Sequence, residues 1–139
     1  MALVAIGAVL RLWNLGRLHL DFDEAFTATA ARLPVGRLFS FLRADDAHPP
    51  LDYLLRRPAA LHGASEAVLR LPSAVLSIGA LGAFAAWMRH RQLLGVLATA
   101  VLAVAAFQLT YAQDARMYAG MVTVGVVASW SADSCLHSV

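Results

Sequence analysis

The sequence has no lysine, a single cysteine and few charged residues of either sign. Of its 139 residues, 14% are charged and 60% are hydrophobic, whereas soluble domains are about a quarter charged and about half apolar. This composition favours a membrane protein. The lone Cys135 excludes a disulfide within the chain and a cysteine-based metal site. The net charge of +2 is small and scattered, which argues against a nucleic-acid partner.

Four apolar segments predict an all-α, polytopic membrane protein with about four transmembrane helices. They cover residues 1–15, 71–88, 93–109 and 118–130. The first is short for a span of about 20 residues, and its Arg11 would either snorkel to the interface or indicate a start further upstream. Pro72 is expected in the first turn of the second segment. The short basic turn Arg89–Arg91 favours the cytoplasmic side, which places residues 17–70 and 113–118 outside.

The long first outer loop is expected to contain interfacial helices. Apolar residues at helical spacing predict one such helix: Val35, Leu38, Phe39 and Leu42. Residues 51–57 predict another, with Asp52 and Arg56 paired four residues apart and Pro58 ending the helix.

Three polar clusters lie where the apolar segments end, and charge is costly there unless it faces water, a cation or a substrate. We expect the apolar segments to bring these clusters together on one face of the membrane. The first holds Asp21, Asp23 and Glu24, the second Asp46 and His48, and the third Asp114, Arg116 and Tyr118.

Five motifs in order resemble the amino-terminal part of the GT-C superfamily of polyprenyl-phosphate-sugar-dependent glycosyltransferases. The nearest groups are the bacterial relatives of protein O-mannosyltransferases and of the aminoarabinose transferase. The motifs are Arg-Leu-Trp-Asn-Leu-Gly (11–16), Asp-Glu-Ala (23–25), Asp-x-His-Pro-Pro-Leu (46–51), Gly-Ala-Ser-Glu-x-x-x-Arg-Leu-Pro-Ser-Ala (63–74) and Tyr-Ala-Gln-Asp-Ala-Arg-Met-Tyr-Ala (111–119). One departure is Asp52, where members of the family usually carry an aromatic residue.

Sugar transfer from a lipid phosphate to a hydroxyl needs a base for the acceptor proton and cationic donors for the departing phosphate. Asp23 is the candidate base, a role that the resemblance also implies, and Glu24 would orient it or share a cation. Arg116 is the candidate for gripping the lipid phosphate, because a guanidinium offers a fork of donors and keeps its charge. Asp114 and Tyr118 would orient Arg116.

Asp46 and His48 are candidates for contacting a phosphate, a sugar hydroxyl or a metal. Two ligands are a poor metal signature, since catalytic sites use about three. The cofactor is therefore left open, with a divalent cation as one option.

The resemblance implies a mannosyltransferase-like enzyme of the cytoplasmic membrane, active on the extracytoplasmic face. It would move a sugar from a polyprenyl-phosphate donor to a lipid, glycan or protein acceptor. Residues 1–130 would form the amino-terminal part of that domain, and residues 131–139 an off-pattern tail that suggests truncation or a frameshift. On this view the chain alone is expected to be inactive. The alternative is a small non-catalytic membrane protein, such as a transport or assembly subunit, whose outer acids bind cations or a partner.

Overall fold

The computed structural model describes residues 1–45 and 49–136, of which 82% are helical and none lies in a strand. This confirms the all-α prediction. The helices are α1 (Ala2–Leu12), α2 (Phe22–Ala31), α3 (Val35–Asp45), α4 (Pro50–Leu61), α5 (Glu66–Met88), α6 (Gln92–Val104), α7 (Ala106–Ala112) and α8 (Tyr118–Leu136), with a 3-10 turn at Arg89–Arg91 between α5 and α6.

Helix α5 is the longest helix described, with 23 residues, and α1, α6 and α8 pack along it. The Arg11 guanidinium of α1 donates both to Ser77 Oγ of α5 and to the Ala103 carbonyl of α6. At the other end of α6, Gly95 lies against the Met88 carbonyl, so α5 and α6 form an antiparallel hairpin. The predicted basic turn is the bend of this hairpin.

Helix α8 runs parallel to α5. Near its start, the Thr123 hydroxyl donates to the Leu76 carbonyl at 3.0 Å. Near its end, Asp133 accepts from the indole Nε1–H of Trp87 at 2.8 Å. The polar residues predicted to form an off-pattern tail therefore continue the helix as far as Leu136.

The predicted apolar segment 93–109 is not one helix, because the backbone is extended at Ala105 (ψ 121°) and separates α6 from α7. The break leaves carbonyls at the end of α6 without their helical partners. Arg11 donates to two of them, Leu102 at 3.1 Å and Ala103 at 3.0 Å. The side chain of Arg11 is only 1% exposed, so the expectation that it snorkels to an interface was wrong.

Helices α2, α3 and α4 form a second layer, in which α2 and α3 pack on α4 and α4 packs on α5. The predicted helix at Val35 is confirmed, and its Leu38 and Leu42 are buried while Val35 and Phe39 remain exposed. Small residues dominate the shared core, which lets the helices approach closely. The buried members are Ala28, Ala30, Ala31, Leu38, Leu42, Tyr53, Ala60, Leu69 and Ala115.

Both prolines expected at helix boundaries lie inside helices. Pro58 does not end α4, because Ala60 beyond it packs into the core and the helix stops at Leu61. There Gly63, with a φ of 62°, allows the N–H of Ala64 to reach the Ala59 carbonyl, the arrangement of a Schellman cap. Pro72 is not in the first turn of its helix, because α5 already begins at Glu66.

Two helical stretches among the described residues are long and apolar enough to cross a membrane, fewer than the four predicted. They are Glu66–Val104, which is the α5–α6 hairpin, and Tyr118–Leu136. Helix α1 is apolar but has only 11 residues, about 17 Å of helix.

Candidate functional site

Glu24 is the buried acid around which the polar residues gather. Asp21 caps α2 by accepting from the Glu24 N–H at 2.8 Å, and the Glu24 carboxylate accepts from the Asp21 N–H at 3.2 Å. This reciprocal pair is a capping box. It turns the Glu24 side chain inward, where it is 3% exposed.

Arg70 of α5 pairs with Glu24 through two hydrogen bonds. Its Nε and Nη2 donate to the two carboxylate oxygens at 2.7 and 2.6 Å, and the Ala115 N–H donates to the same carboxylate at 2.7 Å. Burial raises the pKa of Glu24, but Arg70 and the backbone donors outweigh it, so the pKa lies below its ordinary value. Glu24 therefore stays ionised and joins α2, α5 and the segment before α8.

The remaining donors of Arg70 hold the connection between α1 and α2. Nη1 donates to the carbonyls of Leu15 and Leu18 at 3.0 and 2.9 Å, and Nη2 donates to that of His19 at 3.2 Å. One guanidinium thus fixes both the acid at the start of α2 and the chain that leads to it.

Asp23 points away from this buried pair. Its side chain is 61% exposed, and its Oδ2 lies 3.7 Å from Nη1 of Arg116, which also donates to the Asp23 carbonyl at 3.4 Å. Burial lowers the pKa of Arg116, but the charge of Asp23 and the hydrogen bond with Tyr118 leave it above its ordinary value. The result is an open carboxylate beside a persistent positive charge.

Asp114 completes a group of three acids, since one oxygen each of Asp21, Glu24 and Asp114 lies within 4.8 Å of the others. Burial raises the pKa of Asp114 to about 6, helped by the charges of Glu24 and Asp21 and opposed by Arg116 and Arg56. Its Oδ1 atom is buried and has no hydrogen-bond partner among the described residues. The group therefore holds a carboxyl that is easily protonated.

This acidic group does not fit a metal ion well. Both oxygens of Glu24 already accept from N–H donors, so a metal would have to displace Arg70. Without Glu24, only Asp21 and Asp114 remain, whereas catalytic metal sites use about three protein ligands. Asp46 and His48 lie outside the described residues, and a divalent cation stays a prediction.

A second buried arginine fixes the backbone beneath Arg116. The side chain of Arg56 in α4 donates to Asp52 at 2.8 and 3.1 Å, which confirms the predicted pair. It also donates to Ser73 Oγ at 2.8 Å and to the Arg116 carbonyl at 3.0 Å. Asp52 thus forms an ion pair at the position where members of the resembled family usually carry an aromatic residue.

An apolar groove of about 520 Å³ opens between α4, α5 and α8, and Met117, the residue after Arg116, lines it. Its apolar lining includes Leu51, Leu55, Leu76, Met117, Met121 and Val124. A smaller cavity of about 330 Å³ lies over Glu24 and has a mixed lining, with the polar residues His19, Asp21, Gln113 and Asp114 among its lining residues. The three acids therefore line this cavity, whereas the groove contains the residue that follows Arg116.

The structure brings the first and third polar clusters together, as the sequence predicted. Asp23, Glu24, Asp114 and Arg116 meet there. Tyr118 begins α8, and its ring centroid lies 4.4 Å from that of Tyr111. The second cluster, with Asp46 and His48, lies outside the described residues. The chemical roles assigned to all seven residues stay predictions.

Sequence reasoning missed the residues that build the site. Asp-x-x-Glu before an apolar run is the signature of a capping box, and this signal could have identified the role of Asp21. Arg70 is predicted only as part of the fourth motif, and Arg56 only as the local partner of Asp52. No local pattern signals their long-range contacts.

No protein-family model, curated protein or solved structure matches this chain.

Proposed function

We propose that this chain is a membrane protein and forms the amino-terminal part of a glycosyltransferase that uses a polyprenyl-phosphate sugar. The α5–α6 hairpin and α8 cross the bilayer, and α1 lies in it beside them. Much of their apolar surface is exposed and would face lipid, including Val75, Leu97, Val101, Val124 and Val127. The basic turn faces the cytoplasm and the acidic cluster faces the outside.

The observation that carries the sugar-transfer proposal is the pairing of Asp23 with Arg116. They are 93 residues apart, yet their charged groups lie 3.7 Å apart, with the carboxylate open to solvent. Glu24 and Arg56 fix the backbone on either side of this pair, through Ala115 and the Arg116 carbonyl. Such pre-organisation of a carboxylate beside a guanidinium suits a reaction that moves a proton and releases a phosphate.

The proposed reaction is a single displacement. Asp23 takes the proton of the acceptor hydroxyl, whose oxygen bonds to the anomeric carbon while the bond from that carbon to the phosphate oxygen breaks. The configuration at the sugar carbon inverts, and the polyprenyl phosphate leaves with the bonding electrons. Arg116 stabilises the charge that develops on that phosphate.

The apolar groove supports a lipid-linked donor. Met117 follows Arg116 directly and lines the groove, so a phosphate at Arg116 would have its isoprenoid chain beside Leu51, Leu55 and Val124. The volume of about 520 Å³ admits part of a long chain, and the rest would lie in the bilayer. Asp52 lines the same groove but is engaged by Arg56.

Donor binding tests this proposal. The purified chain in lipid nanodiscs is titrated with a polyprenyl-phosphate mannose, and bound donor is measured by native mass spectrometry. Arg116→Ala should weaken binding at least tenfold, because a charged hydrogen bond to phosphate contributes about 1.5–3 kcal/mol. Asp23→Asn should leave donor binding nearly unchanged, because a base acts only on the acceptor.

The matched control is Arg17→Ala, which removes the same charge from an exposed side chain. Equal binding by wild type, Arg17→Ala and Arg116→Ala would contradict the assigned role of Arg116. A panel of polyprenyl-phosphate sugars then identifies the sugar, and a transfer assay with Asp23→Asn tests the base, because this variant should lose turnover while it retains the donor.

A further inference from the structure

The far end of α5 carries a second polar site. Arg70 and Arg89 are 19 residue steps apart along α5 and its C-cap, which corresponds to about 28 Å of helix. This is close to the thickness of a bilayer's hydrocarbon core, about 30 Å. In the proposed membrane orientation, Arg89 therefore lies at the opposite lipid boundary from Glu24 and Arg70.

A pocket of about 420 Å³ lies at this end, between the hairpin turn and the end of α8. Its lining is half polar and half apolar, and includes Trp87, Arg89, His90, Arg91, Trp130 and Ser134. Tryptophan and arginine together are typical of the boundary between lipid and water.

Asp133 closes the pocket by tying α8 to the hairpin. Its carboxylate accepts from the Trp87 indole at 2.8 Å and lies 3.8 Å from the Arg91 guanidinium. The charge of Arg91 is therefore largely offset by Asp133. The positive charge of Arg89 remains for a ligand.

Arg89 and His90 both offer hydrogen-bond donors, a guanidinium and an imidazole N–H. The Nε–H of Arg89 donates to Nε2 of His90 at 3.0 Å. An accepting Nε2 carries no proton, so the neutral imidazole has its N–H at Nδ1. In the described part of the chain, the Nη atoms of Arg89 make no hydrogen bond, which leaves a planar pair of donors that matches phosphate oxygens.

We infer that this pocket binds the phosphate head group of an anionic phospholipid. Arg89 donates to the phosphate, and the Nδ1–H of His90 and the Ser134 hydroxyl complete its coordination. The acyl chains lie along the exposed apolar face of α8 near Val127 and Trp130. This inference uses the proposed membrane placement but not the sugar-transfer chemistry, and the site lies at the other end of α5.

The test is lipid retention by the purified chain in detergent, measured by native mass spectrometry. Dioleoyl phosphatidylglycerol and dioleoyl phosphatidylcholine are added in parallel titrations. Wild type should retain one phosphatidylglycerol in preference to phosphatidylcholine. Arg89→Gln should lower that retention about fivefold, because one arginine near an anionic lipid surface contributes about 1 kcal/mol.

Two variants separate a pocket from general charge attraction. Arg17→Gln removes the same charge from an exposed residue near the other end and should retain the lipid like wild type. Ser134→Trp fills the pocket without changing the charge and should lower retention. Circular dichroism of each variant checks that the helices are intact.

Equal losses in Arg89→Gln and Arg17→Gln would overturn the proposal, as would full retention by Ser134→Trp. Equal retention of the two lipids by wild type would also overturn it. Displacement of the bound lipid by millimolar inorganic phosphate would show that a free anion, not a lipid, occupies the pocket.

Discussion

Removing the charge of Glu24 should destabilise the whole fold, whereas removing the adjacent charge of Asp23 should not. Glu24 is 3% exposed and accepts four hydrogen bonds, from Arg70 Nε, Arg70 Nη2 and the N–H groups of Ala115 and Asp21. Glu24→Gln leaves Arg70 buried and charged, with an amide group where a carboxylate oxygen accepted. Breaking one partner of a buried ion pair costs about 3–5 kcal/mol.

That cost is large against the total stability of an ordinary domain, about 5–15 kcal/mol. It should lower the midpoint of thermal unfolding by on the order of 10 °C. The assay is loss of helical circular dichroism on heating in detergent, at neutral pH. Asp23→Asn is the matched control, because it removes the same charge from a side chain that is 61% exposed, and exposed pairs contribute about 0–1 kcal/mol.

The stability of the fold should also depend on pH. The folded pKa of Glu24 lies below its ordinary value of 4.5, so its contribution is complete above that value and is lost as the pH falls toward the lowered folded pKa. Acidification below about 4.5 should therefore destabilise wild type more than Glu24→Gln. Equal midpoints for Glu24→Gln and Asp23→Asn at neutral pH would refute the assigned role of the buried pair.

Three further predictions concern other contacts. Arg11→Gln should lower the free energy of unfolding by about 1–3 kcal/mol, because buried carbonyls at the end of α6 lose their donor, and denaturant unfolding measures this. Asp114→Asn should raise the thermal midpoint at pH 7. The folded pKa of Asp114 is about 6, whereas its ordinary pKa is 3.8. The stability that protonated Asp114 contributes is therefore complete below pH 3.8 and is lost as the pH rises through 6. In the variant this pH dependence should vanish, and its persistence would assign it to another group. Gly95→Ala should disrupt the hairpin, because its Cβ would collide with the Met88 carbonyl. The control is Gly125→Ala, because a Cβ at Gly125 would have no atom within 4 Å. This variant should leave stability unchanged or raise it by up to about 1 kcal/mol. Equal losses of stability in the two glycine variants would contradict the packing of α5 and α6.

Much of the helical pattern could be predicted because it depends on local sequence. Apolar residues at helical spacing predicted α3, and the spacing of four between Asp52 and Arg56 predicted their ion pair. The basic residues before Gln92 predicted the turn between two apolar helices. Each of these features depends on neighbours within about one helical turn.

Features that depend on tertiary packing could not be predicted. Pro58 and Pro72 were expected at helix boundaries, but buried residues that follow them keep α4 and α5 helical. The break at Ala105 has no glycine or proline to signal it. The partners of the freed carbonyls come from Arg11, more than 90 residues earlier in the chain.

The candidate site could likewise be predicted from the sequence only in part. The sequence indicated which residues carry charge, and the meeting of the first and third clusters followed from the expected arrangement of apolar segments. It did not reveal that Glu24 is held by Arg70 while Asp23 is open. That difference arises because the capping box turns one of two adjacent acids inward.

The separation of Glu24 from Arg70 bears on the order in which the chain can fold as it is synthesised. Arg70 follows Glu24 by 46 residues, and Ala115 follows it by 91. At a synthesis rate of about 5–20 residues per second, Arg70 is made roughly 2–9 s after Glu24, and Ala115 is made after about twice that time. During that interval its carboxylate must stay hydrated, so α2 cannot take its final place until the ribosome has made the beginning of α5.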